Sequence, residues 1–239
     1  LVQTKKGKKI MRSISYGLAI ALMIAIVTTG ASAQTSQSKT SSEPAKDKVT
    51  VDEKALDSFV GEAEHYFHQA RESFFKKDME TAADEIRKGA AFLKLEAGRA
   101  TEAGKKPLMA SIRELEELAD SVEKGTATSA NELDHAFTRA HSALATHYRL
   151  MAAESWAKKK TLKAAKALKA AALHLEYSAV WAFGKLETGT KEVVKDTRIL
   201  SGKLIKGTGL VTTEVGRTVE ALGKEIEKVG QLVEPQKKM

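Results

Sequence analysis

The chain contains no cysteine. That excludes disulfides, thiolate metal sites, lipoprotein acylation and the Cys-x-x-Cys-His attachment of c-type haem. Only three prolines and 5% aromatic residues occur among its 239 positions, so the packing vocabulary of β-sheets is scarce. A Gly-rich phosphate loop, a Gly-x-Ser-x-Gly elbow and a His-Glu-x-x-His zinc motif are all missing. Serines are densest in a low-complexity stretch, and no candidate joins a nucleophile to a base and an orienting acid. These absences point away from an enzyme.

Alanine, leucine, lysine and glutamate dominate instead, a balance that favours helices over strands. The formal charge is +8, but Lys5, Lys6, Lys8, Lys9 and Arg12 lie in a segment with the marks of a removable leader, and the charge falls to +3 without them. Nucleic-acid binding thereby loses its main support.

That leader reads as a secretory signal at 11–33, with Met11 as its start. Met11-Arg12 supplies charge, Ile14 to Val27 an apolar run, and Ala31-Ser32-Ala33 a small-x-small cleavage site. The run is shorter than the ~20 residues of a membrane span, so the expectation is a cleaved protein, periplasmic or secreted. Residues 34–49 are rich in Ser, Thr, Gln and Lys and read as a disordered linker.

The remainder is organised by a repeat. A shift of 82 positions lays His65-Tyr66, Ala70, Glu72-Ser73, Lys76-Lys77, Ala82-Ala83, Ala90, Leu93 and Ala97 onto His147-Tyr148, Ala152, Glu154-Ser155, Lys158-Lys159, Ala164-Ala165, Ala172, Leu175 and Ala179. Twelve identities in 33 residues without a gap indicate a duplicated helical hairpin. The predicted fold is an all-α antiparallel bundle: a first repeat at 50–128, a second at 129–186, a long amphipathic helix at 187–234 and a short tail at 235–239.

Three- and four-residue apolar steps place the helices. The first opens at a capping box, Thr50 to Glu53, and turns Ala63, Phe67, Ala70 and Phe74 inward. Asp78 caps a second, facing in with Met79, Ala82, Ile86, Ala90, Leu93 and Ala97. Gly104 to Pro107 interrupts the pattern, and a third helix carries Leu108, Ile112, Leu115, Leu118 and Val122. Ser129 to Glu132 caps a fourth, whose stripe from Leu133 to Ser155 is widened by Ala145, Ala152 and Trp156, as suits a central helix. Lys160-Thr161 opens a fifth, with Leu162, Ala165, Leu168, Ala172, Leu175, Ala179 and Ala182 inward. A sixth runs to about Val233, where Pro235 stops it.

Gly202, Gly209, Gly216, Gly223 and Gly230 recur every seven residues along that last helix. Each costs a helix interior about 1 kcal/mol relative to Ala, so the strip predicts close packing against an Ala-rich partner such as the fifth helix, or against another subunit. A helix that folds on lipid is the alternative.

Other candidate constellations are few. Glu62/His65 and Glu132/His135 have the spacing of di-metal bundle ligands, but both histidines fall on the polar side of their helices. His65 and His68 could form a surface metal clip, and His65 and His147 could meet if the repeats pack about a pseudo-two-fold axis, to bind a metal or a haem. The bland expectation is solvated histidines and no cofactor. Lys158, Lys159, Lys160, Lys163, Lys166 and Lys169 form a basic run that could contact an anionic envelope surface, or simply solvate a helix face.

Within the first hairpin, Ala70-Arg71, Phe75, Asp78, Glu80, Ala82, Ala91 and Leu93 resemble the hairpin of YfdX-type exported bacterial proteins; Lys77 stands where that family usually has Gly. The resemblance implies an exported helical protein and no catalytic residues. The leading expectation is a non-enzymatic envelope protein acting through helix-mediated protein contacts or self-association. An envelope protein bound to lipid or lipopolysaccharide is the runner-up, and a histidine-based metal or haem binder the third reading.

Overall fold

Seven helices and no strand make up the described residues, 60–127, 129–208 and 212–233 of a computed structural model. They are α1 Glu62–Phe75, α2 Met79–Gly98, α3 Glu102–Glu123, α4 Ala130–Ala157, α5 Thr161–Phe183, α6 Thr188–Lys206 and α7 Thr212–Gln231. The chain is therefore the all-α bundle its composition predicts. Each helix packs on the next in sequence, and α4 also meets α1, α2 and α7. That makes α4 the central helix, as its widened apolar stripe requires. The leader, the linker at 34–49, the capping box at Thr50 to Glu53, Gly209 and the tail lie outside the described residues.

The duplication is visible in the backbone. At the end of α1, Lys76, Lys77 and Asp78 donate their N–H groups to the carbonyls of Glu72, Phe74 and Ser73; at the end of α4, Lys158, Lys159 and Lys160 donate to Glu154, Trp156 and Ser155, each 82 residues on. Lys77 has φ 64° and Lys159 φ 57°, the described non-glycine residues with positive φ. Both turns thus use a left-handed lysine to release the helix, at a position where Gly would be unstrained. The Lys76–Glu72 and Lys158–Glu154 ion pairs recur as well.

Packing follows the same correspondence. Ala70 and Ala152, Ala82 and Ala164, Ala83 and Ala165, Ile86 and Leu168, and Leu93 and Leu175 are all completely buried. Small residues at these places let the helices approach closely. At Gly89 even a methyl would collide with the ring of Phe67, which stacks on Phe137 at 4.3 Å. Asp78 caps α2 as predicted, its carboxylate accepting from the Thr81 N–H at 3.2 Å. Ser129 caps α4, accepting from the N–H of Asn131 at 3.1 Å.

Several boundaries differ from expectation. Residues 60–61 form a turn, so α1 begins at Glu62 rather than running unbroken from Thr50. Helix α3 begins at Glu102, five residues before Pro107, because the Thr101 hydroxyl accepts from the Gly104 N–H at 3.1 Å and starts the helix there. Pro107 is the sixth residue of the helix, past its four free amides, and so gives up the bond its N–H would have made to the Ala103 carbonyl. Leu162, predicted to face inward, is 55% exposed.

The largest difference is at the C-terminal end, where two helices replace the long one. Gly207 has φ 68° and caps α6 in the left-handed conformation. The chain then folds back, so that Thr190 at the start of α6 bonds Glu225 late in α7 at 2.6 Å, while Lys203 late in α6 bonds Glu214 early in α7 at 2.9 Å. This hairpin lies on α4 and α5.

Folding back separates the heptad glycines. A β-carbon at Gly202, Gly216 or Gly230 would meet nothing within 4 Å among the described residues; only Gly223 is covered, by the Arg149 guanidinium at 3.3 Å. Within this chain the strip is not a close-packing strip, since the apolar residues beside it make the contacts: Leu204, Val215, Leu222, Ile226 and Val229 are buried. Gly216→Ala should consequently stabilise the protein by up to about 1 kcal/mol through helix propensity alone. Thermal denaturation checks this, and a destabilised G216A would show that something does press on that position.

Candidate functional site

A seam of buried polar and aromatic groups crosses the bundle where α1, α4 and α5 meet. Its first anchor is Glu64, placed on the inner edge of α1 one step from Ala63 and Phe67. The Trp181 indole N–H donates to its Oε2 at 2.8 Å, His68 Nε2 lies 2.8 Å from Oε1, and His141 Nε2 lies 2.8 Å from Oε2. The last contact acts through charge more than through an aligned hydrogen bond, for the ring N–H is bent off the line to the oxygen. Burial pushes the Glu64 carboxyl up, but His141, Trp181 and His68 together outweigh it and hold it below the usual carboxylate value.

His141 and His174 face each other with Nδ1 to Nδ1 at 3.1 Å, both completely buried. One ring must carry its proton on Nδ1 while the other presents a lone pair. The negative Glu64 favours the proton of His141 on Nε2, so His141 Nδ1 accepts and His174 Nδ1 donates. His174 Nε2 is then left in the interior with no hydrogen-bond partner among the described residues. Burial lowers the pKa of His141 despite the pull of Glu64, and lowers that of His174 further, with repulsion from His141 and His147 adding to it. His174 stacks on Tyr148 at 5.4 Å with the rings 6° from parallel.

Beyond Tyr148 the seam reaches its second anchor. Glu96, completely buried on α2, has Oε2 3.2 Å from His147 Nε2 and 3.3 Å from the Arg99 Nε. Arg99 also lies over the Tyr148 ring, 6.0 Å from its centroid. Here the seam meets the surface at a cleft of about 530 Å³. The cleft is lined by Val60, Tyr148, Met151, Leu162, Ala167 and Ala170 on its apolar side and by Arg99, Lys160, Lys163 and Lys166 on its cationic side. Among the described residues no carboxylate lines it. A smaller recess of about 220 Å³ continues past Arg99 to Thr101, Ser155 and Lys158, with Glu154 at its edge.

The predicted site residues are distributed unevenly over this geometry. His65 is exposed and its ring neighbours only Tyr66, whereas His147 is buried against Glu96, so the repeat does not bring the two together. The asymmetry arises because α4 is covered on several sides and α1 is not. His68 pairs with Glu64 rather than with His65, His135 is exposed, and no group of three or more metal-ligating side chains converges among the described residues. Of the lysine run, Lys160, Lys163 and Lys166 line the cleft, Lys158 edges the recess, and Lys159 and Lys169 point elsewhere.

Sequence reasoning missed Glu64, Glu96, Arg99, His141 and His174. A signal for His141 was present: it stands four residues after Phe137, three before Leu144 and seven before Tyr148, inside the apolar stripe of α4. His174 occupies the place of Phe92 in the first repeat, flanked by Ala171 and Leu175. No family model matches the chain, and neither does any curated protein or solved structure.

Proposed function

We propose that this is a non-enzymatic helical protein of the bacterial cell envelope that associates with anionic amphiphiles through the cationic end of its α4–α5 hairpin. One observation carries the reading: the turn at Lys158 to Lys160 and the first turns of α5 gather a cluster of lysines, to which Arg99 is added from another hairpin beside an apolar floor. Arg99 reaches this cluster from the end of α2, held there by Glu96 and lying over Tyr148. Envelope residence rests on the signal-like leader, and the likeness of residues 70–93 to YfdX-type exported proteins accords with it. No described helix is long and apolar enough to cross a membrane, so the association would be peripheral.

Flotation with vesicles tests this. The protein should rise with phosphatidylglycerol-containing vesicles, stay behind with pure phosphatidylcholine, and be released in molar salt, where the Debye length shrinks to about 3 Å. Equal partition between the two lipids, or none into either, would sink the proposal.

A second reading, helix-mediated self-association, is favoured by Gly202, Gly216 and Gly230, which nothing among the described residues covers. Ile199 and Ile205 are exposed on α6, and Leu232 just past the end of α7. Sedimentation equilibrium distinguishes it: a protein that stays monomeric at every concentration does not use this surface on itself.

A further inference from the structure

Two imidazoles that face each other inside a protein can share one proton, but they cannot each point one at the other. His141 and His174 are placed in this way. Their Nδ1 atoms are 3.1 Å apart, their ring centroids 5.3 Å apart and their planes 25° from parallel, so the two lone-pair directions run nearly along one line. At neutral pH His174 Nδ1 donates along that line to His141. A first added proton has a place at Nε2 of His174. A second must go to Nδ1 of His141, where it meets the Nδ1–H of His174 head-on. Turning the His141 ring about χ2 would relieve the clash but take its Nε2 away from Glu64, and the ring is enclosed by Phe67 at 5.2 Å and Tyr177 at 5.3 Å. His174 is held flat against Tyr148.

The surrounding charges do not compensate. Glu64 of α1 is in contact with His141, but it is shared with His68 and Trp181. Glu96 of α2 faces His147 and Arg99 on the far side of Tyr148, and Glu176 of α5 faces Arg198 of α6. One shared carboxylate therefore stands against two imidazolium charges in a fully buried place, where uncompensated charge is costly. The α4–α5 hairpin is closed by the turn at Lys158 to Lys160 and open at its other end. Beyond the histidines toward that open end, Ser178 donates to the Thr138 carbonyl at 3.0 Å and, its proton so used, accepts from the Ser142 hydroxyl at 2.7 Å. Trp181 meets Phe137 edge-on at 5.1 Å.

We propose that the facing histidines form a two-proton switch: with both charged, the end of α5 from His174 to Phe183 lifts from α4 and α1, baring Phe67, Phe137 and Trp181 as an apolar contact face while the other helices stay folded. This face lies toward the open end of the hairpin, away from the lysine cluster at its closed end, and does not depend on lipid association. Burial holds both rings below the ordinary histidine value, so the switch operates below about pH 6.5.

Fluorescence of the full chain in a Trp156→Phe background, which leaves Trp181 as the sole indole, reads the lifted state as a red-shifted emission open to acrylamide. Opening linked to two protons passes from about a tenth to about nine-tenths complete within about one pH unit, whereas opening linked to one needs about two. The steep curve is expected, reversible on return to pH 8 and with far-UV circular dichroism unchanged through it. His174→Gln, which keeps a donor for His141 but takes no charge, should hold Trp181 buried at pH values where the parent has opened. His65→Gln, an exposed histidine away from the pair, should follow the parent. A transition about two units wide overturns the proposal, as does helical signal that falls with the emission, the absence of any red shift, or His174→Gln opening where the parent does. Should His174→Gln fail to fold, the width of the parent's curve decides alone.

Discussion

Glu64→Ala is expected to lower the unfolding free energy by about 2–3 kcal/mol, read as a reduced urea midpoint at unchanged slope. The carboxylate is 8% exposed and serves Trp181, His141 and His68 at once. Removing it leaves the Trp181 N–H without an acceptor in the interior, which costs roughly 1–3 kcal/mol, and takes from His141 the negative charge beside its ring. His68, with a side chain 63% exposed, simply turns to water and adds little. Glu64→Gln should cost about half as much, since its amide oxygen still accepts from Trp181. That oxygen, placed where Oε2 stands, faces both Trp181 and His141, so the tautomers of His141 and His174 should persist, and the nitrogen chemical shifts of the two rings should stay as in the parent. A loss below about 1 kcal/mol in E64A would mean that the seam is not organised by this carboxylate.

The second large effect is acid sensitivity. His141 and His174 bind protons less readily in the folded chain than in the unfolded one, where the ordinary histidine value is about 6.5. Their contribution to stability is complete above that value and is lost as pH falls below it toward their depressed folded values. Glu64, also depressed, loses its contribution in the same direction at still lower pH. Each histidine can account for up to about 1.4 kcal/mol per pH unit within its window. Melting temperatures should therefore hold steady from neutral to mildly alkaline pH and drop steeply below about 6.5. His174→Phe restores the residue type found at the equivalent position of the first repeat and removes the more strongly shifted group. Its melting temperature should fall less on acidification than that of the parent. Parallel curves for the two proteins would assign the acid sensitivity elsewhere.

What could be read from the residues, and what could not, divides along physical lines. Periodic burial was legible: every predicted inward residue of α1, α2 and α3 from Ala63 to Val122 is buried except Met79, which is partly covered. Local capping chemistry was legible too, at Asp78 and Ser129, because a side chain and an amide two or three residues on settle it. The break at Gly207 was hidden because the apolar spacing from Leu204 to Val215 continues through the turn in the phase of one helix, while the left-handed residue is not one of the heptad glycines. The seam escaped for a different reason. His141 and His174 are polar by residue type and were weighed only as surface or ligand groups, yet pairing with each other and with Glu64 makes their burial tolerable. Leu162 followed the helical phase but sits in the opening turn of α5, before α4 has closed over that face, and so faces the cleft.

The returning α6–α7 hairpin also bears on how the molecule assembles. Almost every helix packs on its sequence neighbour, so most of the structure can form by zipping successive hairpins with short loop closures, the low-contact-order regime in which helical proteins fold in microseconds to milliseconds. The exceptions are α1 and α2 against α4, and α7 against α4 and α5. The late event set by topology is thus the seating of α7, which the bond from Arg139 to the Val233 carbonyl then latches at its far end. Until it seats, the flank of α4 around Arg149 stays wet, and the central helix of the finished bundle is the last to lose its water.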